Sequence, residues 1–452
     1  MRLMKLATAF AAVAIVAAAC SSAATPAPSA EATAAPSTEA TAAPATQAPT
    51  AAPSESAAAV ACTTDPVKVT YWTKEGDTNL VYIKALADAY TAANPNVTFD
   101  VVNKDVETLR QDFQTASLAG NQPDLLWTVA DHIGPFTAAD LILSMDGIYD
   151  TSGYLPNAVQ AVTAGGKVWG VPISYGNQLM LYWNKGLAGD AAPADTDALV
   201  AKAKELTDAA ASKYGLTFNQ TESFWLVPFL GGYNGSVFAA DGVTPTLNTP
   251  EMTSALQLLY DWKFTDQIMP KEADYNVADG AFKDSTAAMI INGDWAMGDY
   301  KKALGDKLGV GPIPKITGAD FPKPYTAGAF YMVPKNVAND ANKQCVVLDF
   351  IKWSTNQENQ VQMVKDLARL PALITAIEDP IVTGDPLLAG AAEAVKLGVP
   401  QPTNLEMRCV FDSMTAGVRD LFGKGALPAD VAAAMQKSAD AGVAPGGECA
   451  AE

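Results

Sequence analysis

Residues 21–61 cannot build a core. They hold 18 Ala, 6 Pro, 6 Ser and 6 Thr and carry a near repeat, EATAAPS at 31–37 and EATAAPA at 39–45. A stretch so poor in large apolar side chains buries too little surface to offset the entropy of ordering its backbone. Folding therefore starts near Cys62. The residues beyond it exceed the ~250–300 at which a single core stops growing, which predicts two lobes.

Ahead of that stretch, Arg2 and Lys5 precede fourteen uncharged residues, Leu6 to Ala19. The run is shorter than the ~20 residues that span a bilayer and closes on small residues, so 1–19 is expected to be a signal peptide. Ala17-Ala18-Ala19-Cys20 resembles the lipobox of bacterial lipoproteins, with Ala17 where the motif usually has Leu. The resemblance implies a lipid on Cys20, so that 20–61 is a tether reaching ~35 Å as a coil and about 130 Å as extended polyproline II. Cleavage without lipidation is the alternative.

The chain carries 49 Asp+Glu against 30 Lys+Arg, a formal charge of −19, which argues against nucleic acid as a partner. With His132 as its one histidine and five scattered cysteines, neither a His-rich metal site nor a zinc cluster can be assembled, and no metal or cofactor is expected. Setting Cys20 aside leaves Cys62, Cys345, Cys409 and Cys449, an even number suited to an oxidising compartment. Two disulfides are expected among them; three connectivities stay open, and buried free thiols are the other reading.

Val67–Trp72 alternates and is rich in β-branched and aromatic residues, as a strand should be. Leu80, Ile83, Leu86, Ala87 and Tyr90 recur at helical spacing until Asn94-Pro95, and Val97–Val102 reads as a second strand. This strand-helix-strand order argues for a parallel sheet. A helix over 105–119, a strand at Asp124–Thr128 and a helix near Phe136–Leu143 follow. Further strands are predicted at Leu179–Trp183, Ala288–Ile291 and Phe330–Val333, and further helices near 195–211, 250–265, 340–353 and 427–440. Such alternation means α/β.

The signatures of phosphate-cradling loops, dinucleotide folds, nucleophile elbows and zinc-protease helices are all missing from the sequence. The aromatics say more. Tyr71-Trp72, Phe224-Trp225, Tyr233 in Gly-Gly-Tyr-Asn-Gly and Trp295 in Asn-Gly-Asp-Trp sit beside loop breakers. A flat ring in a cleft can stack on the apolar face of a sugar while neighbouring acids, amides and lysines pair with its hydroxyls. Packing in a core is the competing role for each, and the favoured one for Trp72 and Trp183, which lie inside strands. His132 is expected to be solvated or capping, and Asp131 to contact ligand.

Five segments carry a family resemblance: VKVTYWTKEGD at 67–77, QPDLLWTVADHIGPFTAADLIL at 122–143, VWGVPISYGNQLMLYWNKGL at 168–187, AFKDSTAAMIINGDWAM at 281–297 and GVPQPTNLEMRCVFDSM at 398–414. Over about 67–440 the chain resembles the extracellular solute-binding proteins of ABC sugar importers, in particular the maltose/maltodextrin-binding class. The resemblance implies an α/β periplasmic-binding-protein fold of type II, two lobes with a ligand cleft and a hinge between them. Lobe 1 is expected at 62–174 and 326–376, lobe 2 at 177–325 and 381–441, and a tail at 442–452. The hinge would lie near Ser174–Gly176, near 325 and near 377–381.

Carried over residue by residue, the resemblance implies that Trp295 and Phe411 stack on sugar and that Phe224 and Trp225 form a further aromatic wall. Asp131 would bind a hydroxyl, and Lys74, Glu75 and Asp77 would supply polar contacts; Trp127 and Tyr233 are further candidate substrate contacts. Gly176 stands where the maltose binders carry an acid, His132 where they carry an Arg and Thr128 where they carry a Trp. A buried polar group left unpaired costs ~1–3 kcal/mol, so such replacements alter which sugar fits. The expected function is non-catalytic: a monomeric, lipid-anchored extracytoplasmic receptor that closes on a di- or oligosaccharide and delivers it to an ABC permease. A secreted glycoside hydrolase with two carboxylates and a surface lectin are the alternatives.

Overall fold

The computed structural model describes residues 62–449. The expected signal peptide, Cys20 with its expected lipid, and the whole of the expected tether at 20–61 lie outside the described residues.

Two sheets organise the chain. In chain order the strands are β1 Val67–Thr73, β2 Val97–Asn103, β3 Leu125–Thr128, β4 Thr163–Ala164, β5 Lys167–Val168, β6 Val171–Gly176, β7 Leu179–Asn184, β8 Tyr214–Thr217, β9 Ala287–Gly293, β10 Leu308–Gly311, β11 Tyr325–Met332 and β12 Val399–Pro400. The first sheet has the order β12-β11-β3-β1-β2, with β6 also pairing with β11; the second has the order β10-β7-β9-β8, and β4-β5 is a small hairpin. β1 runs parallel to both β2 and β3, which the helical crossovers Asp77–Ala93 and Val106–Ala119 require. The second of these helices starts at Asp105, whose carboxylate accepts from Thr108 N at 2.9 Å, and stops at Gly120 with φ +74°.

Both sheets are covered on both faces, which is why their central strands read as unbroken apolar runs. Tyr71, Leu125, Trp127 and Tyr331 enter one core of the first sheet, while Leu126, Phe330 and Met332 enter the other with Phe113 and Phe136. In the second sheet Leu181, Trp183, Met289 and Ile291 face one core, and Met180, Tyr182 and Ile290 the opposite one. The expected helix at Phe136–Leu143 is instead Ile133–Ala138: Asp140 turns left-handed at φ +54°, and Leu141 N closes back on Phe136 O at 2.9 Å.

Only Asn177 and Gln178 separate β6, in the first sheet, from β7, in the second. β11 crosses as well, since Tyr325 packs in the core of the second sheet and Tyr331 in that of the first. The helix Gln357–Leu367 straddles the two, with Met363 and Leu367 in one core and Val364 in the other. Two disulfides, Cys62–Cys345 and Cys409–Cys449, supply one of the three connectivities. The first ties the approach to β1 to the helix Ala341–Ser354.

Candidate functional site: an aromatic wall facing an ionic floor

Trp295 sits in the single 3₁₀ turn Asp294–Ala296 that follows β9. Its ring folds back over the strand end, which only a glycine permits: a Cβ on Gly293 would meet it at 2.0 Å. The indole N–H donates to Tyr275 Oη at 2.9 Å, and the ring stays half-buried. Phe224, also half-buried, lies 6.1 Å from Trp295 and 6.5 Å from Tyr325 between centroids, and Tyr325 meets the Phe411 ring edge-on at 6.3 Å. The order Trp295, Phe224, Tyr325, Phe411 is thus a continuous row of rings. The Trp295 N–H is committed to the protein and the two phenylalanines carry no polar atom, which leaves faces as the means of contact of these three rings.

Two of the rings expected to contact sugar are buried. Trp225 is buried, donates to Ile291 O at 2.8 Å and packs edge-on against Trp295 at 6.3 Å, so it supports that ring from behind. Phe411 is buried too, because the helix Glu406–Lys424 turns it into the second core against Tyr325. Tyr233 is not part of the row. It ends the short helix Val227–Gly232, half-buried, where burial and the nearby Asp261 carboxylate push its phenol up.

The loop after β1 faces this wall. Lys74 places its ammonium 5.7 Å over the Trp295 ring and 2.9 Å from Glu75 Oε1. Glu75 was expected to contact ligand, but its oxygens are spent internally. Trp127 Nε1 donates to Oε1 at 3.1 Å, and the Arg369 guanidinium forks onto both oxygens at 3.0 and 3.4 Å. Burial pushes the carboxyl up, yet Arg369 and Lys74 overcome this and hold it at about 2. Trp127, likewise expected near ligand, is fully buried because β3 is central in its sheet and sends alternate side chains into the core. Asp77 is exposed at the rim, 3.6 Å from Lys283 of the opposite lobe.

Further lobe-to-lobe contacts flank the cleft. Thr78 Oγ1 donates to Asp299, Asn79 Nδ2 donates to Trp295 O at 3.1 Å, and Arg408 Nη1 pairs with Glu107 at 2.9 and 3.0 Å. Asp131 is half-buried. His132 is fully buried, against the expectation of a solvated or capping residue: the turn that carries it packs onto Phe136, and Nδ1 lies 2.7 Å from Thr128 Oγ1. Burial pushes its pKa down in spite of the Asp131 and Glu107 carboxylates.

Glu222, next in sequence to the turn Ser223–Trp225, is a candidate that sequence reasoning missed. Burial pushes its carboxyl up, Glu107 adds to this, and the hydrogen bond from Asn219 opposes it. Tyr275, Tyr325, Arg369 and Asp294 were missed as well. Asp294, next to Trp295, was legible as an acid in the Asn-Gly-Asp-Trp motif; the other three carried no local signal. Among the described residues no group of three or more His, Cys, Asp or Glu could hold a metal ion, and no helix is long and apolar enough to cross a membrane.

A family model described as bacterial extracellular solute-binding protein matches residues 85–390. The chain belongs to this family. Among curated relatives, this solute-binding protein is similar to the maltotriose-binding protein of Pyrococcus abyssi, 27% identical over 82% of this chain and 80% of the relative. It is also similar to the maltodextrin-binding protein MdxE of Bacillus subtilis, 26% identical over 73% and 79%. Among solved structures, the maltose/maltodextrin-binding domain MalE of Bdellovibrio bacteriovorus bound to maltotriose superposes with a TM-score of 0.79, 29% identity and coverage of 83% of this chain and 99% of that one. The maltotriose-binding protein of Thermus thermophilus bound with maltotriose gives 0.76, 25% identity and coverage of 82% and 98%. The two-lobed α/β fold of the maltose-binding proteins is therefore the fold of this chain.

Proposed function

We propose that this solute-binding protein captures a di- or oligosaccharide of the maltodextrin type between its lobes and passes it, chemically unchanged, to the membrane permease of an ABC importer. The observation that carries the reading is the row of rings headed by Trp295 and Phe224, facing Lys74 across the cleft. Stacking needs such faces, and hydroxyl recognition needs polar groups beside them; Lys74, Asp131 and Glu222 fill that second role. The relatives that bind maltotriose and maltodextrin support this choice of substrate. We further read lobe 1 as 62–174 and 326–376 and lobe 2 as 177–325 and 381–441. Cys20 carries a lipid and 21–61 spaces a monomeric receptor from the membrane.

The test is thermal unfolding of the mature protein with maltose, maltotriose, maltotetraose, trehalose, sucrose, cellobiose and monosaccharides, followed by chromatography of the sugar. A ligand at a hundred times its Kd stabilises the fold by about 2.7 kcal/mol. Stabilisation by malto-oligosaccharides with sugar recovered intact is expected. Absence of any shift would overturn the substrate class, and recovery of fragments would make the protein a hydrolase.

A further inference from the structure

One contact between the lobes is an ion pair whose two members each keep a second partner on their own side. Arg408, in the helix Glu406–Lys424 that packs on the second sheet, sends Nη1 to both oxygens of Glu107, at 2.9 and 3.0 Å. Glu107 stands in the first turn of the helix Val106–Ala119, whose Leu109 and Phe113 lie in a core of the first sheet. The pair therefore joins the two lobes. Glu107 Oε2 also accepts from Arg110 Nε at 3.3 Å, and Arg408 Nε donates to Asp412 Oδ2 at 2.9 Å. Those second partners lie three and four residues along the same helices, so they stay in reach wherever the lobes move.

Glu107 follows β2, the outermost strand of the first sheet. β1 and β3 separate β2 from the crossing strand β11, about 14 Å at ordinary strand spacing, so a swing about that strand displaces Glu107 from Arg408. Just ahead of the Arg408 helix the lobes meet backbone to backbone: a Cβ on Gly134, in the helix Ile133–Ala138, would come within 2.8 Å of Thr403 O and Asn404 C. The lobes also turn acids toward each other here. Burial pushes the Glu222 carboxyl up, and Glu107 and Asp105 of the other lobe add to this. Arg408 comes from the same lobe as Glu222 and neutralises Glu107, which offsets the repulsion. The Glu107 side chain is 46% exposed, so parting the pair strands no charge, unlike Glu75 and Arg369 at 4% and 2%.

We infer that Glu107 and Arg408 are positioning residues: their ion pair forms as the lobes close, leaves each ion with Arg110 or Asp412 as they open, and slows the escape of bound sugar. The inference rests on the sugar site proposed above and deepens it. A malto-oligosaccharide carries no charge, so the pair cannot steer it inward and acts after capture, on release. Partly exposed, the pair is screened by salt.

Two measurements decide the matter. Stopped-flow kinetics of maltotriose with the mature protein should show the off-rate raised about two- to fivefold in Glu107→Gln and in Arg408→Gln, the on-rate unchanged, and no further rise when both are combined. The increase should shrink between about 0.05 M and about 0.5 M NaCl. Off-rates equal to the parent's, or effects that add in the double variant, overturn the proposal. The second measurement needs no sugar. Thr78→Cys with Asp299→Cys puts two thiols where the lobes touch at a separate contact, and their rate of crosslinking under mild oxidant reports the fraction of time the free protein spends closed. Adding Glu107→Gln or Arg408→Gln should slow it about two- to fivefold. An unchanged crosslinking rate overturns the latch even if maltotriose leaves faster, since the two side chains would then act on sugar directly. Slowed crosslinking in a protein that binds no maltotriose overturns the sugar site and leaves the latch in place.

Discussion

Glu75 and Asp294 are buried acids just past the ends of strands, one from each lobe, yet they titrate in opposite directions. Glu75 is held at about 2, and Asp294 is pushed up. Burial raises both. What separates them is contact: Arg369 forks onto Glu75 at 3.0 and 3.4 Å and Lys74 touches it at 2.9 Å, while Asp294 feels the same cations only at longer range. A few ångströms of placement thus decide whether a carboxyl becomes a structural anion or a group that can hold a proton. The lesson extends to the cleft, where the Glu75 side is ionic and internally satisfied and the opposite side offers the half-buried rings of Trp295 and Phe224.

The strongest way to break the contrast is Arg369→Met. It leaves the buried Glu75 without its bidentate partner, and loss of one member of a buried pair costs about 3–5 kcal/mol, which urea unfolding would measure. The sign with pH follows from the depressed carboxyl. Its stabilisation is present above the unfolded glutamate range of about 4.3 and is lost as pH falls toward 2. Glu75→Gln should therefore be less stable than the parent near neutrality, with the difference shrinking in acid.

On the aromatic side, Trp295→Ala should lower malto-oligosaccharide affinity at least several-fold, since stacking of this kind contributes on the order of 1 kcal/mol beyond area. Calorimetry would show it, and unchanged affinity would remove Trp295 from the site. Tyr275→Phe takes away the acceptor of the Trp295 N–H and should weaken binding less, by up to about 1 kcal/mol. Smallest of all is Asp77→Asn at the exposed rim, where stability should stay within about 0.5 kcal/mol of the parent.

Much of this site was legible, though not evenly. Trp295 and Phe224 lie where breakers such as Gly293 and short 3₁₀ turns put rings at strand ends, a signal visible locally. Trp127 and Trp225 looked equally eligible. The first points into the core because β3 is flanked on both sides, and the second is consumed by Ile291 O from a neighbouring strand. His132 was misread for a similar reason, its turn being covered by elements distant in sequence.

What the sequence determined alone was set by short-range rules: helices stopped by Gly120 and similar residues, and strands spelled by period-two or continuous apolar runs. The pairing of cysteines, the side of the sheet each tryptophan takes, and the grip of Arg369 on a glutamate 294 positions away were decided only in three dimensions. Local pattern fixes which face of an element is apolar, but contact between distant side chains depends on where the chain crosses between lobes, and no spacing in the sequence encodes that crossing.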